Sequence, residues 1–216
     1  MAFGNAIGVD LGSGQAVSVL ASIGVEPYVG WTQKSGFPNV SATNLDDHTG
    51  TATTCDLVTA TMRGNRTTRA VDDSSALFDM FARGVAVDDT AGSTIDLSEI
   101  PYSEYDVIVY FAEDTGNSSG DSFSVTDGTT TYYYENQGTD NFDSGTLTQV
   151  TSTSSGSPDT TGNYVRFSGL TATAVTITGV CGADSATDFV GFQVIEVTGG
   201  GGGGIVPFRR RIEGTK

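Results

Sequence analysis

Short runs of β-prone residues recur about every ten to fifteen positions, and this spacing constrains the fold more than any other sequence feature. No window keeps the period of about 3.6 residues that a long helix requires. We therefore expect an all-β fold, a jelly-roll-like antiparallel β-sandwich. The predicted strands cover residues 6–11, 15–23, 55–62, 93–97, 105–111, 122–126, 129–135, 146–151, 164–168, 174–180 and 189–197.

Two of these runs carry a more specific signal. In "DSFSVTDGTTTYYYE" the β-prone stretches flank Asp127 and Gly128, a pair that tolerates the positive φ angles of a type I′ turn. This pattern predicts a β-hairpin. The run "YDVIVYF", residues 105–111, is apolar at almost every position rather than at every second one. Both of its faces should therefore be covered, which predicts a strand in the middle of a sheet.

Two further segments predict structure outside the strands. The stretch "DDSSALFDMFARG", residues 72–84, combines a capping residue, an apolar face and a terminal glycine. It predicts one short helix over an end of the sandwich. The stretch "TSTSSGSPDTTG", residues 151–162, is rich in serine, threonine, glycine and proline. That composition predicts a mobile surface loop.

The distribution of charge divides the chain into three parts. We expect a sandwich domain over residues 1–198, a glycine tether over residues 199–204 and a tail over residues 205–216. The formal net charge is −16. The tail carries four cationic residues and one acidic residue, so its charge is +3 and the remainder is −19. Such an acidic body repels nucleic acid and anionic lipid, and we expect neither as a partner.

The tail has the composition of a docking peptide. Six glycines make a flexible tether with a root-mean-square span of roughly 12 to 15 Å. Apolar side chains can fill pockets or add a strand to a neighbour, and arginines can pair with carboxylates. A frayed terminus is the alternative interpretation. The predicted docking residues are Ile205, Val206, Phe208, Arg209, Arg210 and Arg211.

Acidic turns offer candidate calcium ligands. Calcium takes six to eight oxygen ligands from carboxylates, amides and carbonyls. Asp46 and Asp47 lie in "NLDDHTG", and Asp114 and Asn117 lie in "EDTGN". The alternative is that these side chains accept hydrogen bonds from the backbone of their own turns, the more common role of Asp and Asn in loops.

Aromatic residues offer a candidate glycan-binding platform. Tyr132 and Tyr134 share one face of a predicted strand, on which a sugar ring can stack, and Trp31 is the only tryptophan. The alternative for the tyrosines is cross-strand packing beside Phe123 and Val125. For Trp31 the alternative is a core anchor.

Neither catalysis nor a membrane span is expected. The only histidine, His48, lies in a polar turn, and no serine or cysteine stands in a nucleophile-elbow context. No run approaches the roughly 18 apolar residues of a membrane span, and the N-terminus has no basic and apolar signal region. Cys55 and Cys181 make no CxxC pair; they form either one disulfide or two small buried apolar side chains.

Several segments together resemble a known class of module. "YDVIVYF", "TTTYYYE", "NYVRFSGL", "AVTITGV" and "DFVGFQVIEV" are similar to stretches of jelly-roll modules in secreted bacterial surface proteins, akin to galactose-binding-like and carbohydrate-binding β-sandwiches. The similarity covers roughly residues 5 to 197. It implies a binding or structural module without naming a ligand.

From these features we expect a non-enzymatic structural protein. The leading hypothesis is a virion decoration, fibre or spike component on a particle surface, joined by its tail to a protein scaffold or to neighbouring copies in a homo-oligomeric assembly. The alternatives are a secreted carbohydrate-binding or adhesive module, with calcium as its candidate cofactor, and a subunit of an extracellular filament joined by strand donation.

Overall fold

The regular structure of the described residues consists entirely of β-strands. The computed structural model describes residues 4–11, 24–27, 30–34, 39–62, 64–66, 84–87, 92–113, 120, 122–138, 141–142, 146–182 and 187–198. In chain order the strands are β1 (Ala6–Asp10), β2 (Thr32–Gln33), β3 (Ser41–Ala42), β4 (Asp56–Ala60), β5 (Gly64–Arg66), β6 (Gly84–Ala86), β7 (Ser93–Ser98), β8 (Tyr105–Glu113), β9 (Ser122–Thr126), β10 (Thr131–Glu135), β11 (Tyr164–Leu170), β12 (Val175–Cys181) and β13 (Thr187–Glu196).

These strands form two sheets. The seven-stranded sheet has the order β11-β8-β13-β1-β2, with β6 also pairing with β13 and β5 pairing with β6. The six-stranded sheet has the order β10-β9-β12-β7-β4-β3. All pairs of named strands are antiparallel except β1 with β2. The predicted all-β antiparallel sandwich is confirmed.

One large apolar core joins the two sheets. It includes residues from both, and the ring centroids of Phe111 in β8 and Phe123 in β9 lie 5.0 Å apart. In the six-stranded sheet, burial alternates along β4, β7 and β9, because only one face of each strand meets the core. Gly179 in β12 lies against the Phe189 ring, where a larger residue would collide.

The seven-stranded sheet is covered on both faces. Every residue of β8 is buried, and β8 lies between β11 and β13. This confirms the prediction of a central strand from "YDVIVYF". A second apolar cluster, which includes Trp31, Tyr110 and Phe142, covers the face turned away from the main core.

The predicted hairpin is confirmed, although its turn is not of type I′. β9 and β10 pair antiparallel, with Thr126 opposite Thr131, so the loop contains four residues. Gly128 has a φ of 86°, but Asp127 is not among the residues with positive φ, as a type I′ turn would require. The Asp127 carboxylate instead accepts hydrogen bonds from the backbone N–H groups of Thr129 and Thr130.

Residues 151–162 form a surface loop, as predicted, and hydrogen bonds tie this loop to neighbouring strands, while its mobility stays a prediction. The Tyr133 N–H donates to Ser152 O at 2.9 Å, and the Asp159 N–H donates to Tyr133 O at 3.1 Å. The Val150 N–H donates to Tyr164 O at 2.8 Å. β10 and β11 are edge strands of different sheets, and the segment 148–159 pairs with β10 at Tyr133 and Glu135 and with β11 at Tyr164. The backbone N–H and C=O groups at these strand edges supply hydrogen-bond partners for the loop, and composition alone does not reveal them.

Other predictions differ from the structure in detail. Residues 146–151 form no strand, only an isolated bridge between Gln149 and Tyr164. The short strands β2, β3, β5 and β6 were not predicted. The predicted strand 15–23 and residues 72–83 of the predicted helix lie outside the described residues, while Gly84 begins β6 instead of ending a helix.

Candidate functional site

A polar pocket lies where the end of β13 meets the loops before β1, β4 and β8. Its volume is about 400 Å³. Its polar lining includes Asn5, Asp47, Thr53, Thr54, Tyr102 and Glu196. No lysine or arginine is among the described residues that line it. These residues are far apart in sequence, so only the sandwich brings them together.

Asp47 is fixed by its own turn. Its Oδ1 atom accepts hydrogen bonds from the Thr49 N–H at 2.8 Å, the Thr49 hydroxyl at 2.6 Å and the Thr51 N–H at 3.0 Å. Burial of the carboxyl group opposes ionisation, but these hydrogen bonds outweigh it and lower the pKa of Asp47. Asp47 is therefore a pre-oriented anion, and no hydrogen bond from the described residues reaches its Oδ2 atom.

Glu196 is fixed by the residue that precedes β1. Its Oε2 atom accepts hydrogen bonds from the Asn5 backbone N–H at 2.9 Å and from Asn5 Nδ2 at 3.0 Å. The backbone of Glu196 donates in return to Asn5 O at 2.8 Å. The β1–β13 pairing thus holds Glu196 at the pocket. Its Oε1 atom accepts no hydrogen bond from the described part of the chain.

Tyr102 supplies a buried hydroxyl group to the same place. The residue is 7% exposed, and its Oη atom has no hydrogen-bond partner among the described residues. Desolvation is the main cause of a raised pKa, and the negative charges of Asp47 and Glu196 raise it further. The hydroxyl therefore stays protonated near two carboxylates. An unpartnered buried hydroxyl costs stability, so a ligand that completes its hydrogen bonding would be favoured.

The pocket therefore has the chemistry of a site for hydrogen-bond donors with positive charge. Two carboxylates each present one unused oxygen, and the Tyr102 oxygen can accept a further hydrogen bond. A larger cavity of about 520 Å³ lies beside the β9–β10 turn and the β11–β12 connection. Its buried Tyr105 hydroxyl already donates to Ala172 O at 2.8 Å. That cavity offers no comparable unsatisfied group.

A second polar cluster lies beside β8 and β11, and it already contains its cation. The Asp106 Oδ2 atom accepts hydrogen bonds from Arg166 Nε at 2.7 Å and from Nη2 at 2.6 Å, while Oδ1 accepts the Gly169 N–H at 2.8 Å. Arg166 Nη1 also lies 3.2 Å from Glu26 Oε1. Opposite charges surround Arg166, so this cluster is closed.

Hydrogen bonds beside this cluster hold residues 24–27 against the face of the seven-stranded sheet that carries Tyr110 and Gln193. The Val25 N–H donates to Tyr110 Oη at 2.7 Å, and Gln193 Nε2 donates to Glu26 O at 2.8 Å. The Tyr110 hydroxyl donates to Gln193 Oε1. Gln193 is fully buried, and these bonds satisfy its amide group, whose burial without hydrogen bonds would cost stability.

The predicted glycan platform is not available for stacking, which corrects that prediction. Tyr134 is 2% exposed, its ring packs on Phe111 at a centroid distance of 5.2 Å, and its hydroxyl donates to Glu113. Trp31 is 3% exposed and contacts Tyr110. The Tyr134 ring is buried in the main core, and the Trp31 ring is buried in the second apolar cluster.

Tyr132 is partly buried and follows the packing alternative. It lies opposite Val125, its ring packs on Phe167 at 5.4 Å, and its hydroxyl donates to Arg166 O at 3.0 Å. The Tyr132 ring therefore connects the edges of the two sheets.

The candidate calcium residues do not meet in one described cluster. Asp47 takes the turn-capping role that was the alternative interpretation, while Asp46 pairs through its backbone with Ala52. Asp114 and Asn117 lie outside the described residues. Within the described ranges, no group of three or more His, Cys, Asp or Glu side chains is placed to hold a metal ion. The calcium hypothesis remains a prediction from sequence.

The two cysteines are free thiols, which corrects the disulfide alternative. Both are buried in the main core. Leu57, Leu97 and Val175 lie side by side on the adjacent strands β4, β7 and β12. Cys55 lies two residues before Leu57, and Cys181 lies six residues after Val175 on a strand that runs in the same direction. Their separation along the strands is about 26 Å at 3.3 Å per residue. A disulfide requires Cα atoms within roughly 7 Å.

His48 and the tail complete the set of predicted residues. The Ala6 N–H donates to His48 Nδ1 at 3.3 Å, so the imidazole ties its turn to β1. The docking residues 205–216 lie outside the described residues. The part of the chain that the structure describes contains no helix long and apolar enough to cross a membrane.

Sequence reasoning missed the two polar clusters. Arg166 gave a usable signal, because a single charged residue inside the strand "NYVRFSGL" needs a partner. Tyr102 and Glu196 gave none, because their meeting depends on contacts far apart in sequence. No protein-family model matches the chain, and no curated protein matches it significantly.

Proposed function

We propose that this chain is a non-enzymatic structural protein of a particle surface, such as a virion decoration, fibre or spike component. Residues 205–216 attach it to a protein scaffold or to a neighbouring copy, and residues 199–204 act as the tether. The acidic body faces solvent, where its net charge favours solubility.

The position of β13 is the observation that carries this proposal. β13 is the last described strand, and it lies between β8 and β1 in the seven-stranded sheet. It pairs with β8 from Thr187 to Glu196 and with β1 from Gly191 to Ile195. A pull on the tail is therefore resisted by hydrogen bonds on both sides of β13. Such a strand suits an attachment point.

The sealed edges favour tail attachment over the filament alternative. Strand donation requires an open edge that can accept a strand from another copy. The segment 148–159 already pairs with Tyr133 and Glu135 of β10 and with Tyr164 of β11. The edge of β10 is therefore protected against strand addition at these residues, which supports a discrete subunit that is attached by its tail.

Deletion of residues 199–216 tests the proposal. We expect the truncated chain to fold but to be lost from native particles, as measured by its copy number in purified material. The matched control replaces residues 205–216 by a glycine and serine stretch of equal length, which preserves chain length but removes the docking residues. Unchanged copy number in either variant would contradict the proposal.

A further inference from the structure

The pocket around Tyr102 requires a particular kind of ligand. Asp47 and Glu196 place two carboxylates at the pocket, each with one oxygen that accepts no hydrogen bond from the described residues. The Tyr102 hydroxyl is buried and unpartnered. A guanidinium group carries five N–H donors in a planar fork and has no acceptor. It can therefore serve both carboxylates and the phenol oxygen together.

The closed cluster shows that this sandwich binds a guanidinium group with the same residue types. There Arg166 donates to Asp106 and Glu26, at distances between 2.6 and 3.2 Å. The Tyr102 pocket has a comparable pair of carboxylates, but its described lining contains no cation. Its volume of about 400 Å³ is ample for one side chain.

The sequence supplies three arginines a short way after Glu196 along the chain. Glu196 lines the pocket, and Arg209, Arg210 and Arg211 follow it by 13 to 15 residues, beyond the six glycines. Opposite net charges on the tail and the body favour their encounter. On a particle surface, neighbouring bodies at short distances raise the effective concentration of each tail.

We infer that the Tyr102 pocket receives an arginine side chain from residues 209–211 of a neighbouring copy. The guanidinium group binds between the free oxygens of Asp47 and Glu196 and donates to Tyr102 Oη. The inference rests on the proposed function, because only a tail held by another copy links copies together.

A complementation experiment tests the link between copies. The receptor is the full chain with R209Q, R210Q and R211Q, which has an intact pocket and no tail arginines. The donor is the full chain with D47N and E196Q, which has an intact tail and a neutral pocket. We expect each variant to be monomeric and their mixture to form dimers in light scattering after size exclusion. A mixture without dimers would overturn the inference.

A peptide titration locates the site. The probe is a labelled peptide of residues 205–216, and the receptor is again the full chain with the three arginine substitutions. We expect E196Q to weaken binding about tenfold and Y102F to weaken it several-fold, as measured by fluorescence anisotropy. The matched control is E135Q in β10, which removes the same charge outside the pocket and should leave affinity nearly unchanged.

The outcomes separate this inference from the proposed function. Equal weakening by E196Q and E135Q would mean general attraction to an acidic surface and would overturn the pocket assignment. The tail could then still attach the chain to a scaffold, as copy numbers after tail deletion would show. Conversely, unchanged copy numbers with pocket-specific peptide binding would contradict the proposed function alone.

Discussion

The Arg166 cluster and the Tyr102 pocket use similar side chains for different ends. In the first, both oxygens of Asp106 accept hydrogen bonds, and the cation comes from the neighbouring strand β11. In the second, Asp47 and Glu196 each keep an oxygen, and Tyr102 a hydroxyl, that no described residue bonds. A carboxylate cluster that contains its own cation stabilises a fold, whereas one without a cation is suited to recognition.

The largest expected loss of stability is in the Arg166 cluster. Asp106→Asn removes the charge that neutralises Arg166, so a partly buried cation would lose its main partner. We expect the free energy of unfolding to fall by about 3 kcal/mol, as broken buried ion pairs typically show. Chemical denaturation measures this value.

The Glu26→Gln variant is the control for that prediction. Glu26 is more exposed than Asp106, with 30% of its side chain accessible against 7%. Its loss should cost about 0.5 kcal/mol, because exposed pairs contribute little. Equal losses in the two variants would show that burial does not set the strength of this cluster.

In the Tyr102 pocket we expect a smaller change in the free energy of unfolding, with the opposite sign. Tyr102→Phe removes a buried hydroxyl without a partner, so the free energy of unfolding should rise by about 1 kcal/mol. The same variant should bind the tail peptide less tightly. Tyr105→Phe is the matched control, because the Tyr105 hydroxyl donates to Ala172 O and its removal should destabilise. A destabilised Tyr102→Phe variant would remove the contrast between the two clusters.

The smallest effect is the pH dependence of the pocket. The pKa of Asp47 is lowered in the folded chain, so its contribution is present above the unfolded pKa of about 3.9 and is lost as the pH falls through the folded value. NMR titration of the Asp47 carboxyl carbon should show this lowered pKa. The Asp47→Asn variant should lose less stability than the unsubstituted chain as the pH falls from neutral to acidic. A titration at or above the ordinary value would contradict the proposed turn geometry.

Local signals in the sequence predicted much of the sheet architecture. The continuous apolar run of β8 and the Asp127–Gly128 hairpin depend on residues close in sequence, and both were recognised. The turn type of the hairpin was not, because the four-residue loop is set by the register between Thr126 and Thr131. Patterning therefore identifies strands more readily than it identifies how they are joined.

The candidate site could not be predicted in the same way. Its residues come from before β1, from the turn after β3, from the segment before β8 and from the end of β13, so strand order alone brings them together. The free cysteines depend on register for the same reason. The tyrosines of β10 were recognised as an aromatic face, but their burial depends on the opposite sheet, which supplies Phe111.

The segment 148–159 has a consequence for crowding. It runs from the outer edge of β11 to the outer edge of β10 and occupies backbone groups of both. A neighbouring molecule that meets β10 at high density would thus find backbone groups that are already paired. Contact at this edge then does not lead to aggregation through strand pairing.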